Sequence, residues 1–203
     1  MRFENYDIAG STILIPFAEN LSDVKELIAS DYFRYSGHKE SSWFKLWFHS
    51  LLNHSFSYTF WWRLVAYNGL NRIFQTICKL ILKKKSDKYG VFILKGVKCG
   101  FGLYLGHGIG IVINETSIIG NNVNISQFVN IGANSGKAAI IGDNVYIGPM
   151  CCLVEDIIIG SNATIGAGAV VTKNVEKNVT VGGVPAKVIS YSTPARFIKN
   201  KYE

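Results

Sequence analysis

The sequence predicts a protein of two regions with different folds, and two observations support this prediction. All four tryptophans precede Tyr89, whereas 17 of the 20 glycines follow it. A six-residue hydrophobic repeat begins at the same point. We therefore predict an α+β protein by region: a helical N-terminal region over residues 1–88, a mainly β solenoid over residues 89–190, and a C-terminal tail over residues 191–203.

Length and composition limit the class of protein. The chain has 203 residues and 48% hydrophobic content, which is enough for a substantial buried core. The first residues include acidic ones and only a short apolar run, so we expect no signal peptide. No apolar run reaches about 18 residues, so we expect no membrane span. The four cysteines form neither a CxxC pair nor a disulfide framework, which is typical of a reducing compartment, and we predict a cytoplasmic protein.

The net charge of +7 is unevenly distributed. Residues 1–88 contain 12 Lys and Arg against 8 Asp and Glu, whereas residues 89–190 contain 6 against 5. The basic residues cluster in residues 79–88 and 193–203 and form no continuous basic face with interleaved aromatics, so we expect no nucleic-acid partner. We interpret both clusters as solvated, with an alternative for the tail, namely that it holds an anionic cofactor.

Hydrophobic periodicity predicts three or four helices in the N-terminal region. The first stretch, residues 20–37, has Ser22 as its expected N-cap and Glu26 in its first turn. Residues 41–56 and 60–85 follow, each with apolar residues at positions i, i+3, i+4 and i+7.

Aromatic residues are concentrated within the helical region, with twelve between Tyr32 and Trp62. Aromatic side chains beside lysines suit a membrane surface. They are equally typical of a protein core or a subunit contact, which we favour over peripheral membrane contact.

The second region repeats every six residues. A small or β-branched residue precedes most of the repeated residues by two positions, and glycine often follows directly. Residues two apart in a strand point the same way, so both face inward and glycine relieves the corner. Short strands joined by short turns therefore predict a solenoid. The repeated positions are Ile93, Cys99, Leu105, Ile113, Ile119, Ile125, Ile131, Ile141, Ile147, Leu153, Ile159, Ile165 and Val171.

This repeat, with the closing VGGVPAKVI at residues 181–189, resembles the hexapeptide-repeat acyltransferases. The resemblance covers residues 89–190. It implies a left-handed parallel β-helix of triangular cross-section with three hexapeptides per coil. Thirteen repeats then form a little over four coils, or roughly 20 Å at about 4.7–4.9 Å per coil.

The repeat is interrupted twice. Eight residues separate Leu105 from Ile113, and ten separate Ile131 from Ile141. Regular coils are scaffold, whereas departures from a repeat are where function usually lies. The first interruption, GHGIG, contains His107, so we predict a functional role for this histidine.

The order YLGHGIGIVINET, NISQFVNIGANSGK and VYIGPM resembles the serine acetyltransferase branch and related acetyltransferases of surface-polysaccharide pathways. In that branch a histidine at the position of His107 is the general base. An acceptor hydroxyl must lose a proton as it attacks the thioester of acetyl-CoA, and histidine is the side chain that titrates near neutrality. The alternative is a histidine satisfied by backbone contacts in a glycine-rich turn. The other histidines, His38, His49 and His54, are expected to be structural or exposed.

The chain departs from the serine acetyltransferases at three positions. Gly106 stands where that branch has an aspartate, and Phe92 where it has a second acidic partner for the histidine. The loop NSGKAA lacks the Asp-Arg-His cluster of those enzymes. We therefore expect a sugar hydroxyl of a surface-polysaccharide precursor as acceptor, with serine as the alternative.

The resemblance also implies a homotrimer that binds acetyl-CoA in the groove between neighbouring subunits. Small residues would admit the pantetheine chain, and lysines would lie near the nucleotide end. Glu115 and Gln127 are candidates to orient His107 or the acceptor, though a solvated corner is the alternative for Glu115. The candidate cofactor residues are Ala133, Asn134, Gly148, Pro149, Gly166, Ala167, Lys173 and Lys187.

Two other functions compete with acetyl transfer. The γ-class carbonic anhydrases share the left-handed helix and bind zinc through three histidines, but only His107 lies in the solenoid here. A catalytic zinc usually needs three protein ligands, so we expect no metal. A non-catalytic scaffold is the second alternative, because fold alone does not determine function.

Overall fold

The computed structural model describes residues 1–8 and 10–203. It confirms the predicted fold class, in which a helical region is followed by a parallel β-helix of the left-handed kind. The four helices are α1 (Leu21–Ser36), α2 (Trp43–Leu52), α3 (His54–Ala66) and α4 (Arg72–Tyr89).

Asparagine side chains determine where three of these helices begin. Helix α1 begins after Asn20, whose side chain accepts a hydrogen bond from the Asp23 N–H at 3.0 Å, so the expected Ser22 cap is wrong. Asn53 separates α2 from α3 and caps α3 by accepting from the Phe56 N–H at 3.1 Å. Asn71 caps α4 in the same way. The predicted helical stretches 41–56 and 60–85 are therefore each interrupted by a cap, Asn53 in the first and Asn71 in the second, because an N-cap residue has non-helical backbone angles.

A β-hairpin precedes the helices, and the sequence analysis did not predict it. Strand β1 (Arg2–Ile8) pairs antiparallel with β2 (Ser11–Phe17). Alternate side chains bury Ile8, Ile13 and Ile15 against the solenoid. The hairpin is therefore part of the solenoid's outer cover rather than of the helical bundle.

The solenoid confirms the six-residue repeat at every predicted position. Each of the thirteen repeated residues is the inward, buried residue of one short strand. The strands are β3 (Phe92–Ile93), β4 (Lys98–Cys99), β5 (Tyr104–Leu105), β6 (Val112–Ile113), β7 (Ile118–Ile119), β8 (Asn124–Ile125), β9 (Asn130–Gly132), β10 (Ile140–Ile141), β11 (Tyr146–Ile147), β12 (Cys152–Val154), β13 (Ile158–Ile159), β14 (Thr164–Ile165) and β15 (Val170–Val171). Two more strands follow, β16 (Thr180–Gly182) and β17 (Lys187–Ser190).

Three parallel sheets form the sides of the prism. We call β4, β7, β10 and β13 the hairpin face, because Ile118, Ile140 and Ile158 on its outside pack against the hairpin. The tail face contains β5, β8, β11, β14 and β16, with β17 added antiparallel at its end. The open face contains β3, β6, β9, β12 and β15.

The C-terminal tail packs on the tail face through a few side chains, while its basic residues Arg196, Lys199 and Lys201 are exposed as predicted. The Phe197 ring lies 4.9 Å from that of Tyr146. Asn122 exchanges two hydrogen bonds with the backbone of Tyr202, at 2.8 and 3.1 Å. Aromatic and amide contacts therefore attach this segment to the solenoid, although its basic composition predicts only solvent exposure.

None of the helices in residues 1–8 and 10–203 has the length and apolar character needed to cross a membrane.

Candidate active site

The first interruption of the repeat forms a short loop at one corner of the prism, between β5 on the tail face and β6 on the open face. His107 is exposed and has a φ of 59°, in the left-handed region that disfavours most side chains. Among the described residues, ten other non-glycine residues share this conformation, including Phe128 and Met150 at the same corner of later coils, so it is a feature of the turns rather than a mark of function.

The His107 loop rests on the helical region. The ring Nε2–H of His54, at the start of α3, donates to the carbonyl oxygen of His107 at 3.2 Å. The His54 ring stacks on Tyr89 at a centroid distance of 4.9 Å, and the Tyr89 carbonyl accepts from the Gly110 N–H at 2.9 Å. The start of α3 and the end of α4 thus position the loop. His54, expected only as structural or exposed, is both.

Gly108 makes the approach to α3 sterically feasible. A Cβ atom at this position would lie 2.7 Å from the Ser55 Oγ and 3.1 Å from its Cα. Only glycine allows the backbone to come this close. Gly106 differs, because the nearest atom to a Cβ there would lie 3.6 Å away, which is ordinary van der Waals contact.

Above His107, the same corner of successive coils carries most of the small residues predicted to meet the cofactor. The Phe128 N–H donates to Ile109 at 2.9 Å, the Met150 N–H to Gln127 at 3.0 Å, and the Gly168 N–H to Pro149 at 2.8 Å. These bonds stack the corners in register. We call this set, whose catalytic role is a proposal, the catalytic column: His107, Gln127, Gly148, Pro149, Gly166 and Ala167.

Close packing explains one glycine of the catalytic column. A Cβ on Gly148 would lie 2.8 Å from the Ala167 N and 2.9 Å from the Ile165 carbonyl oxygen. Gly166 has more room, with the nearest such atom at 3.2 Å. Gln127 is half-buried, and Pro149 is half-buried beside it. The small residues continue over three coils, which is roughly 14 Å at the usual strand spacing, although Phe128 and Met150 at the same corner are 50% and 66% exposed.

The remaining predicted residues lie elsewhere. Glu115 follows β6 and lies at the opposite end of that strand from His107, where it lines a cavity of about 960 Å³ beside Lys95 and Lys98. The structure does not bring Glu115 and His107 together. Three more, Ala133, Asn134 and Lys173, follow strands of the open face and lie at the same corner as Glu115, whereas Lys187 lies on β17.

The second interruption, at residues 133–139, forms a loop between β9 and β10 in which residues 134–137 are exposed, whereas Ala138 and Ala139 are buried in the solenoid core. Its Asn134 N–H donates to the Glu155 carboxylate at 3.1 Å. A Cβ on Gly136 would meet no atom within 4 Å. This loop therefore borders the open face without covering it.

The chain is similar in sequence and in fold to known proteins. The family model described as bacterial transferase hexapeptide (six repeats) matches residues 138–173. A serine acetyltransferase from Synechococcus elongatus is 40% identical over 104 residues, covering 49% of this chain and 43% of the relative. The crystal structure of Neisseria gonorrhoeae serine acetyltransferase is 32% identical, with a TM-score of 0.64 over 86% of this chain and 67% of that one.

The chain belongs to the hexapeptide-repeat transferase family. A serine acetyltransferase solved in complex with CoA is a further structural relative, 27% identical with a TM-score of 0.65 over 82% of this chain and 68% of that one. The chain spans only 29–62% of the length of the first curated relatives it matches.

This hexapeptide-repeat protein also has a buried polar cluster that the sequence analysis missed. Asp31 of α1 and Arg63 of α3 form a bidentate pair at 2.9 and 3.0 Å, and both are almost fully buried. Arg63 also donates to the carbonyl oxygens of Cys99 and Gly100, at 3.0 and 2.6 Å, and Asp31 accepts from the Leu103 N–H at 2.8 Å. The cluster joins two helices to the first coil, directly before β5.

Arg34 extends the cluster toward the tail. It donates to the Gly102 carbonyl oxygen at 2.7 Å, to Asn124 at 2.6 Å and to the Lys199 carbonyl oxygen at 3.0 Å. Burial lowers the pKa of Arg34 to about 10, so it remains charged at neutral pH. Burial would also lower the pKa of Arg63, but the adjacent Asp31 carboxylate raises it above its ordinary value.

Three of the four cysteines, Cys78, Cys99 and Cys151, are buried. Burial raises the pKa of Cys99 to about 12, which leaves its thiol protonated. Within residues 1–8 and 10–203, no group of three His, Cys, Asp or Glu side chains is arranged to hold a metal ion.

Proposed function

We propose that this hexapeptide-repeat protein is an acetyl-CoA-dependent O-acetyltransferase with His107 as its general base. The observation that supports the proposal most directly is the position of His107. It is exposed, it lies in the one insertion of the catalytic column, and two helices position its backbone. A histidine that served only packing would be expected inside the repeat rather than outside it.

The proposed chemistry is a single acyl transfer. The imidazole of His107 accepts the proton of the acceptor hydroxyl while the hydroxyl oxygen attacks the thioester carbonyl carbon. The C–O bond forms, the C–S bond breaks, and the CoA sulfur leaves and takes up a proton. The products are an O-acetyl ester and free CoA.

The catalytic column supports a path for the pantetheine chain. Gly148, Pro149, Gly166 and Ala167 present little side-chain bulk along the corner above His107. We propose that the thioester lies near His107, and that Ala133 and Asn134 border the opposite side of the open face. Lys173 and Lys187 are exposed and would lie nearer the diphosphate, where a positive charge favours binding.

Serine is the acceptor that the relatives support, because the relatives above are named serine acetyltransferases. Among the residues of the catalytic column, Gln127 follows His107 most closely in the sequence. It is therefore the candidate for acceptor binding. Within one subunit, Glu115 is too far from His107 to share a site with it. We therefore propose that, if Glu115 binds the acceptor, it does so in the site of a neighbouring copy.

A sugar hydroxyl, as in a surface-polysaccharide precursor, is the second candidate acceptor. Phe92 is 43% exposed on the open face where the resemblance implies an acidic partner for the histidine. Gly106 supplies no carboxylate beside His107, although the space would admit one. A site without these charges is less suited to the ammonium and carboxylate groups of an amino acid.

We also propose a homotrimer assembled through the open face. The hairpin and the tail cover the other two faces, whereas Phe92 and Val112 on the open face are each 43% exposed, with Phe128 at 50% beside them. Contiguous exposed apolar residues are typical of an interface. The cytoplasm is the proposed compartment, supported by four free cysteines.

An acceptor screen tests the proposed function. Purified protein is given acetyl-CoA with serine, amino sugars, nucleotide sugars or lipid-linked saccharides, and free CoA thiol is measured. We expect acetyl transfer to at least one hydroxyl acceptor. A kcat/KM for serine of about 10⁴ M⁻¹s⁻¹ or more identifies serine as the substrate. A much lower value, together with efficient transfer to a saccharide, identifies the second candidate, whereas failure of all acceptors and of CoA binding contradicts the proposal.

A further inference from the structure

Helix α2 presents an apolar face to solvent. Among its ten residues only Leu46 and Ser50 are buried. Phe44 and Leu52 are each 70% exposed, and Leu51 is 59% exposed. Trp43, Trp47 and Phe48 are also exposed. Single exposed apolar residues are ordinary, but six on one short helix form a patch that indicates a binding surface.

Helix α4 continues this surface. Ile73, Ile77 and Leu80 are 77%, 45% and 63% exposed, and they follow one another at helical spacing of four and three residues. Phe74 of α4 lines one apolar groove of about 490 Å³ together with Trp43 and Trp47 of α2. The two helices therefore share one exposed apolar surface, which we call the aromatic surface: the exposed apolar residues of α2 and α4.

Positive charge accompanies the aromatic surface. Helices α2 and α4 together carry seven Lys and Arg against a single acidic residue, Asp87. Lys83 pairs with Asp87 at 2.8 Å, whereas Lys79 and Lys84 are exposed beside the apolar stripe. Tryptophan and phenylalanine flanked by lysine suit the boundary between lipid headgroups and acyl chains.

We propose that the aromatic surface docks the protein on an anionic lipid bilayer. The charge decides between a bilayer and a second copy of the chain. Isologous contact through this surface would bring two lysine-rich α4 helices together, which costs free energy, whereas anionic headgroups attract each lysine. The helices would lie in the plane of the bilayer, with the side chains of α2 inserted below the headgroups.

The aromatic surface also leads to the candidate active site. Helix α2 ends at Leu52, two residues before His54, whose ring contacts His107. Helix α4 ends at Tyr89, on which the same His54 ring stacks. A docked bilayer would therefore lie next to the His107 corner, where it could present a lipid-borne acceptor. Docking itself does not depend on the proposed function.

Vesicle flotation tests the proposal. The full chain is mixed with vesicles of phosphatidylglycerol and phosphatidylcholine or of phosphatidylcholine alone. We expect flotation with the anionic vesicles, weakened by 0.5 M salt because salt screens headgroup attraction. The Phe44→Glu/Leu52→Glu and Lys79→Glu/Lys84→Glu variants should each bind at least tenfold more weakly. Tyr191→Glu, at an equally exposed position (71%) in the tail, should bind as wild type does.

Two further measurements keep the outcome decisive. Thermal melts should show that all variants fold, since every substituted side chain is exposed. Tryptophan emission should shift to the blue on adding anionic vesicles, because Trp43 and Trp47 leave water. Absence of flotation, or equal flotation of all variants, overturns the proposal. So does a fall in solution mass for Phe44→Glu/Leu52→Glu with unchanged flotation, which identifies a contact between copies.

Discussion

The solenoid and the helical region are held together by different interactions. In the solenoid, buried aliphatic residues repeat at each coil, and the strands of each face pair in register from one coil to the next. The helical region has a smaller apolar core and leaves much of α2 and α4 exposed. It is joined to the first coil by the Asp31–Arg63 cluster, which lies close to the loop that carries His107. The difference indicates that the regular part supplies stability, whereas the irregular part positions the site.

The largest effect on stability should come from breaking the buried ion pair. Arg63→Ala leaves the Asp31 carboxylate buried without its partner, which should cost about 3–5 kcal/mol. Urea denaturation measures the change in the free energy of unfolding. Lys83→Ala, which breaks the exposed pair with Asp87, is the matched control and should cost no more than about 0.5 kcal/mol. Equal effects of the two substitutions would show that the cluster does not join the regions.

A smaller effect is expected where one coil of the solenoid lies against the next. Gly148→Ala places a Cβ 2.8 Å from the backbone of the coil above, so the coils must shift, at a cost of about 1–3 kcal/mol. Gly132→Ala is the control, because no atom lies within 4 Å of its Cβ position. Thermal melts of both variants measure how much stability each substitution costs. A destabilised Gly132→Ala beside an unaffected Gly148→Ala would contradict the packing described for the column.

The sequence predicted the solenoid well because its repeat is local. All thirteen repeated residues are buried as predicted, and both interruptions form loops outside the regular coils. The hairpin was missed because its partner is distant in sequence: Ile13 and Ile15 pack on the outer side of Ile118 and Ile140, which the six-residue repeat marks as surface.

The candidate site was predicted in part for the same reason. His107 was identified by the first interruption of the repeat, whereas the small residues of the catalytic column were named from the family resemblance; the register of the coils places both at one corner. The Asp31–Arg63 pair could not be predicted from the sequence. Charged residues in amphipathic helices are usually solvated, and these two residues are 32 positions apart in the chain. Glu115 was a candidate to orient His107 or the acceptor, with a solvated corner as the alternative, and strand β6 separates it from His107.

The smallest effect should appear where the hairpin meets the solenoid. A hydrogen bond from Tyr6, followed by one from Lys98, lowers the pKa of Glu4 below its ordinary 4.5. The carboxylate therefore adds stability at pH values above 4.5, and this contribution is lost as the pH falls through the lowered value. Unfolding measured between pH 3 and 7 should show this loss. Glu4→Gln should have a flatter acid limb, and an unchanged limb would show that Glu4 does not hold the hairpin.

The central claim is that His107 removes the acceptor's proton, and turnover of His107→Ala tests it most directly. His38→Ala, at an exposed position between α1 and α2, is the matched control. With the acceptor found by the screen, kcat is measured from pH 5 to 9 alongside a thermal melt and acetyl-CoA binding. We expect His107→Ala to fold and bind acetyl-CoA, to lose roughly 10²–10⁴ in kcat, and to lose the fall in rate at acid pH that wild type and His38→Ala share. A folded His107→Ala with near wild-type kcat and pH profile would contradict the account and leave His107 as a turn residue.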